Sequence, residues 1–193
     1  MSERNKKYTF FFSLSSVFSN FHPSLFTVKG IVFISNEQFM MYCKAMLFKD
    51  KGNAEKILSV NNNWIASDFI AGRLTSDEIV RNHFKEWNRL MMSVKSIGRN
   101  VYPYNDAVWN ANRKKHVKFG VMEKFSQNAD MLKKLHDTGD TKMVEASKYD
   151  RIWGIGLSER DACAVPESQW PGLNLLGEIF NELKAGELKK EPG

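Results

Sequence analysis

Glu145-Ala-Ser-Lys-Tyr-Asp150-Arg-Ile-Trp153-Gly154-Ile-Gly156, followed after a short gap by Trp170-Pro-Gly172-Leu-Asn174-Leu-Leu-Gly177, is the most informative part of this 193-residue chain. Acids, broad rings and glycines gathered so closely suit the wall of a cleft. Asp150 and Trp153 are three apart, so a helical turn here would set a carboxylate beside a plane on which a ring can stack. Gly154 and Gly156 then end the turn or let the backbone approach a ligand. The plainer reading is a buried Trp beside a capping Asp at a helix–loop junction, and the residues alone leave both open.

Working outward, 142–146 reads as a short strand entering this stretch and 173–188 as the final helix, with a polar tail expected to fray after it. Before them, 129–136 is helical and stopped by Asp137-Thr-Gly139. The 108–125 segment has helical spacing, with a basic face of Arg113, Lys114, Lys115 and Lys118 expected to be solvated. Toward the N-terminus, 8–14 reads as a strand and 26–34 as a hairpin turning at Lys29-Gly30. Ser35 or Asn36 caps a helix from Glu37, whose period puts Glu37, Met40, Met41, Lys44 and Phe48 near one face. Short helices are expected at 53–58 and from Thr75 or Ser76, where Asp77 and Glu78 suit a first turn. Between 61 and 94, Trp64, Phe69, Phe84 and Trp87 suggest further packed helices, Phe84 and Trp87 serving as packing residues. The expected fold is therefore α+β, mainly helical, one domain over residues 1–193 with a small N-terminal β-sheet.

A chain of 22.3 kDa with 42% hydrophobic residues, 14 Phe and 5 Trp can fill one core, and no proline-rich or glycine-serine linker divides it. Lys and Arg number 28 against 22 acids, a net +6 that favours anionic partners without specifying nucleic acid. Cys43 and Cys163 are too few for a disulfide scaffold and lack metal-binding spacing, which suits a reducing cytoplasm. The four His residues form no i,i+4 pair, so neither a zinc site nor another metal or cofactor is expected. The charged start Met-Ser-Glu-Arg-Asn-Lys-Lys precedes no signal-like apolar core, and no run of about 18 apolar residues suggests a membrane span.

A set of short pieces, in order, resembles the NADAR family, also called YbiA-like, whose characterised members are N-glycosidases. They are Phe18-Ser-Asn20-Phe21-His-Pro; Gly30-Ile-Val-Phe-Ile-Ser-Asn-Glu37-Gln38 with Lys44-Ala45 behind it; Ser96-Ile-Gly98-Arg99; Trp109; Lys118-Phe119; Phe125-Ser-Gln127-Asn128; Thr138-Gly139; and the two closing stretches. Each piece is weak alone, and the ordered set spans about residues 10 to 180. The chain departs from the family pattern at about 61–92, where an insertion is expected that either covers the cleft or packs outside it.

The resemblance implies a YbiA-like fold and a site in which Glu37, Lys44 and Asp150 are catalytic. Breaking a C1′–N bond builds positive charge on the sugar, which a carboxylate can stabilise while an acid assists the leaving nitrogen. Glu37 would orient or protonate substrate groups, and Asp150 would stabilise charge or assist proton transfer. Lys44 would attack or condense with the anomeric carbon, or else pair with Glu37 or bind phosphate. Asn20, Phe21, Arg99, Trp109, Trp153, Gly154 and Asn174 are the implied substrate-binding residues. The rings would sandwich a base, Arg99 would meet a phosphate, and the two Asn side chains would serve a polar sugar pocket. The implied substrate is ADP-ribosylated guanine in a nucleoside or nucleic acid, with phosphoribosylamino-pyrimidine intermediates of riboflavin synthesis as the alternative. The first is favoured because the free-standing chain carries no riboflavin-enzyme partner domain. A non-catalytic ADP-ribose-binding module is the rival from another class. No obligate protein partner is implied.

Overall fold

In the computed structural model, which describes residues 7–189, the first strand, β1 (Tyr8–Phe11), finds its partner far away in sequence. It pairs in parallel with β4 (Lys142–Glu145), in a register running from Tyr8 beside Lys142 to Phe11 beside Glu145. A parallel pair needs a long crossover, and here nearly the whole protein supplies it. The second sheet is the hairpin of β2 (Phe26–Val28) and β3 (Ile31–Phe33). Lys29 at φ 50° and Gly30 at φ 79° form its turn, both central residues taking the left-handed conformation that matches strand twist. The small N-terminal sheet is thus two two-stranded sheets, one of them closed by a C-terminal strand. Residues 1–6 and the tail 190–193 lie outside the described residues.

Helix α1 (Asn36–Leu47) is the central element, packed against α2 (Lys51–Ser59), α5 (Phe84–Arg99) and α6 (Asp106–Ser126). Ser35 caps it by accepting the Gln38 N–H at 3.1 Å, as Ser, Thr, Asp and Asn do at helix starts. Close approach on either side is made possible by glycines, each costing about 1 kcal/mol of helix propensity relative to Ala. A Cβ on Gly98 of α5 would stand 2.0 Å from Met41 Sδ, and one on Gly120 of α6 would stand 2.0 Å from Asn36 Oδ1. Between α2 and α5 lie α3 (Trp64–Ile70) and α4 (Ser76–Asn82), the latter started by a full capping box of Thr75 and Glu78. After α6 come α7 (Ala129–His136), α8 (Glu159–Ala164) and α9 (Leu175–Ala185), with α9 packed on α6 and β4. Helix α8 is not expected from the sequence, because its six residues are too few to show a period. Among the described residues no helix is long and apolar enough to cross a membrane.

The segment joining β1 to β2 has little regular structure, and helices hold it by its carbonyls. Lys124 of α6, buried, donates from Nζ to the carbonyls of Val17 at 2.7 Å and Ser19 at 3.0 Å. Fully buried Trp87 of α5 donates from Nε1 to the Phe21 carbonyl at 2.8 Å, and Ser76 Oγ donates to that of Pro23 at 2.8 Å. Below, Phe11, Phe18, Phe125 and Phe180 interlock at centroid distances of 5.3–6.0 Å, mostly edge to face. Lys124→Met would leave the Val17 carbonyl without a donor and that of Ser19 with the His22 N–H alone. It should lower unfolding free energy by about 2 kcal/mol, the scale of a lost buried partner, as read from urea melts. An unchanged midpoint would show that the Val17 carbonyl finds another partner.

Candidate active site

A cleft of about 1080 Å³ opens where the C-terminal end of β4, the start of α1 and the inner faces of α5 and α6 meet. Sequence folds each contributor locally: Ser35 starts α1 so that Glu37 falls in its first turn, and β4 delivers Glu145 as its last residue. Asp150 follows in a tight loop. Its Oδ1 accepts the N–H groups of Ile152 and Trp153, both at 2.8 Å, so 150–153 is a side-chain-closed turn and not the helical turn that the spacing suggests.

Of the residues singled out from sequence, Asn20, Phe21, Glu37, Arg99, Trp109, Asp150 and Trp153 line this cleft. Asn20 accepts from Asn36 Nδ2 at 2.7 Å, and its carbonyl accepts the Glu37 N–H at 2.9 Å. Trp109, buried, lies nearly parallel to His116 at 6.3 Å and 13°. Three residues sit elsewhere. Lys44, on the same face of α1 as Glu37, donates from Nζ to the Gly98 carbonyl at 2.8 Å and lies 4.4 Å from the centroid of Tyr104 and 5.8 Å from that of Trp109. It touches two rings of the cleft wall and is not itself part of it. Asn174 clamps β4, its Oδ1 accepting the Glu145 N–H at 3.0 Å and its Nδ2 donating to the Met143 carbonyl at 3.1 Å. Gly154 packs under the same strand end, where a Cβ would meet the Glu145 carbonyl at 2.9 Å.

The electrostatics centre on acids that lack partners. Glu37 is 3% exposed and its Oε1 has no hydrogen-bond partner. Burial raises its carboxyl to about 7, with Lys95 opposing, Asp150 adding and Arg99 opposing. Glu145 is the residue that sequence reasoning misses. Its Oε2 is also buried and unpartnered, and burial together with Asp150 and Glu37 raises it to about 8 against the pull of Lys95. The Lys44 amine is pushed below its ordinary range by burial, with Asp106 opposing and Arg99 adding.

Cations balance this group. Lys95, Arg99, Arg113, Lys148 and Arg151 line the cleft, and of these only Arg99 was anticipated as a site residue. The basic face of α6 divides: Lys114 pairs with Glu178 and Glu182 and Lys118 with Glu182 and Glu187, while Arg113 turns to the cleft. The 61–92 segment reaches the site too, through Phe84 and Asn88. Trp87 is a packing residue, as expected, but Phe84 is 38% exposed on the cleft wall. Among the described residues no group of three or more His, Cys, Asp and Glu is placed to hold a metal ion. Neutral acids beside a carboxylate, with cations and rings around them, can protonate a leaving group, stabilise an adjacent positive centre and hold an anionic ligand.

A family model described as the NADAR domain matches residues 9–186. The N-glycosidase R617 of Acanthamoeba polyphaga mimivirus is 34% identical over 152 residues, covering 79% of this chain and 73% of the viral protein. Protein irg-1 of Caenorhabditis elegans is 31% identical over 198 residues, covering 94% and 80%. The riboflavin biosynthesis protein VVA0006 of Vibrio vulnificus (strain YJ016) is 30% identical over 138 residues, 72% of this chain but 29% of that protein. Among solved structures, the NMR structure of Escherichia coli YbiA superposes with a TM-score of 0.62 at 21% identity, covering 97% of this chain and 90% of that one, a likeness of fold. With a family model spanning nearly the whole chain and relatives above 30% identity over most of it, this chain belongs to the NADAR family.

Proposed function

We propose that this chain hydrolyses the ribosyl C1′–N bond of ADP-ribosylated guanine, in a nucleoside or in nucleic acid. The broader class, an N-glycosidase and so a hydrolase, rests on the family and on the relative of that name. The observation that carries the reading is the Glu37 carboxyl, with one buried and unpartnered oxygen, in a cleft that also holds Asp150 and five cationic side chains. A cleft of about 1080 Å³ is at the upper end of small-ligand sites and has room for a dinucleotide-sized substrate. Lys95, Arg99 and Arg113 suit its phosphates, and Trp109 and Trp153 suit its rings. The riboflavin-related relative motivates one second reading, cleavage of a phosphoribosylamino-pyrimidine.

In the reaction the electron pair of the C1′–N bond leaves with the base, and Glu37 orients the substrate groups around the departing nitrogen. Asp150 stands against the positive charge on the sugar and takes the proton of the attacking water. Lys44 is assigned attack on C1′: the amine adds as the base leaves with its proton, the sugar opens to an imine, and water releases the sugar and restores the amine. That step requires the amine to leave the Gly98 carbonyl; burial lowers its proton affinity, which favours the neutral form that can attack.

The direct test is release of ADP-ribose and free guanine from ADP-ribosylated guanosine over time. Cleavage of only the phosphoribosylamino-pyrimidine would transfer the reading to the second substrate, and tight binding without product would make the chain a binding module. Asp150→Asn should fold and lose about 100-fold or more in kcat, the usual weight of a proton-transfer group, and Glu37→Gln should fold and lose about 100-fold, the scale of misplaced reacting groups. Borohydride added during turnover should trap a covalent adduct at Lys44. No adduct, together with near-normal turnover by Lys44→Met, would end its nucleophilic role and leave hydrolysis by the carboxyl groups intact.

Trp153→Ala should weaken substrate binding roughly 5- to 150-fold, the range of one base stack of about 1–3 kcal/mol. Normal cleavage by the folded fraction of an unstable variant would instead assign Trp153 to the core.

A stability signature accompanies the site. Below its ordinary value near 4.5 the Glu37 carboxyl is protonated in both folded and unfolded chains, so its full contribution is present there. As pH rises to about 7 the unfolded chain ionises first and that contribution is lost. Glu37→Gln should therefore melt above the wild type at pH 8, with a gain of up to about 3 kcal/mol from the shift, and lose that advantage at pH 4. Equal differences in Tm at the two pH values would contradict the assignment.

A further inference from the structure

Two carboxyl groups in the cleft have an oxygen that is buried and unpartnered, Glu37 and Glu145, and the mechanism above uses one of them. Resting on the N-glycosidase reading, we propose that Glu145 is the proton donor to the departing nitrogen. Its backbone is fixed on every side: the N–H goes to Asn174 Oδ1 at 3.0 Å, and the carbonyl accepts the N–H groups of Ser147 and Ile155, each at 3.0 Å. Gly154 fits against that carbonyl so closely that a Cβ would come within 2.9 Å of it. A strand end clamped in this way aims one side chain, and that side chain lines the cleft. Structural carboxyl groups are given donors; this one has an oxygen with none, in the place where a substrate nitrogen can supply the missing partner.

The surroundings separate the two glutamates by role. Glu145 faces Asp150 from its own loop, Glu37 from α1 and the single cation Lys95 from α5. Glu37 faces Lys95 and Arg99 from α5 and the acids Asp150 and, reciprocally, Glu145. Each glutamate faces two acids, but one cation stands by Glu145 and two by Glu37, so the proton is held more firmly on Glu145. Environments that push neighbouring acids apart are how one site assigns its donor. In direct hydrolysis water, and not the Lys44 amine, attacks C1′. The C1′–N pair moves to nitrogen and takes the Glu145 proton; water adds to C1′ and gives a proton to the Asp150 carboxylate. That proton returns to Glu145 through cleft water, and the net reaction is substrate plus water to free base plus sugar.

Two measurements on the full chain test this. In protein labelled with ¹³C at the glutamate carboxyl, the signal missing from Glu145→Gln is expected to remain that of a neutral acid at pH 7 and to titrate near 8. Titration below about 6 would overturn the proposal whatever the substrate proves to be, since a donor must hold its proton at working pH. With ADP-ribosylated guanosine, Glu145→Gln should lose about 100-fold or more in kcat with KM within about threefold, and should lose the fall in rate at alkaline pH. Glu145→Asp should restore part of the rate and that alkaline fall. Turnover by Glu145→Gln within about tenfold of wild type, with the alkaline fall retained, would reduce Glu145 to a structural acid. Should the wild type leave this substrate intact, the substrate reading falls by itself, and the carboxyl titration still decides the state of Glu145.

Discussion

The parallel pairing of β1 with β4 is the constraint on which the rest of the molecule depends. Four residues near one end of the chain and four near the other close a circuit through every helix between them. The pairing sets Glu145 at the strand end, and through it the turn of Asp150, against Glu37 in the first turn of α1. Asn174 supports the same strand from outside, replacing the ladder partner that a two-stranded sheet lacks on its open side. The site is a property of this closure, and no single segment contains it.

What local rules govern was legible in the sequence. The Ser35 cap, the Thr75–Glu78 capping box, the Lys29-Gly30 turn and the bounds 129–136 each follow from chemistry within a few residues, and the family resemblance supplied the order of the pieces. The partner of β1 was not legible, because strand pairing across most of a chain leaves no local mark. Glu145 was hidden for a related reason: an acid at the end of a strand looks solvated until the structure shows its oxygen buried with no protein donor. Lys44 shows the limit of periodicity. Its spacing places it on the Glu37 face, but a four-carbon stem carries the amine away to the Gly98 carbonyl. Asn174 has the amide that a sugar pocket would use, yet its left-handed backbone, at φ 52° and ψ 36°, belongs to a side chain that serves the strand beside it.

The cleft opposes the ordinary economy of a core. Carboxyl groups with a buried oxygen that no donor meets, and a lysine amine held by a carbonyl beside them, are poor choices for stability, and the surrounding packing makes them tolerable. Interlocked phenylalanines beneath the cleft and glycines that draw α5 and α6 onto α1 fix these groups in place, so that little rearrangement is left for a substrate to impose. A rigid frame holding poorly satisfied acids is what proton transfer at neutral pH asks of a protein.

The bonds from Trp87 and Ser76 to the carbonyls of Phe21 and Pro23 have a consequence for how such a protein can diversify. Because they grip main chain, the hold on residues 21–23 is indifferent to which side chains those residues carry. The same 61–92 segment presents Phe84 and Asn88 to the cleft, on elements distinct from those that carry Glu37, Glu145 and Asp150. One wall of the site can thus change its shape and polarity by drift in this segment while the reacting acids keep their places. The chain has in effect two inheritances, a fixed chemistry and a movable preference, joined by a pair of hydrogen bonds.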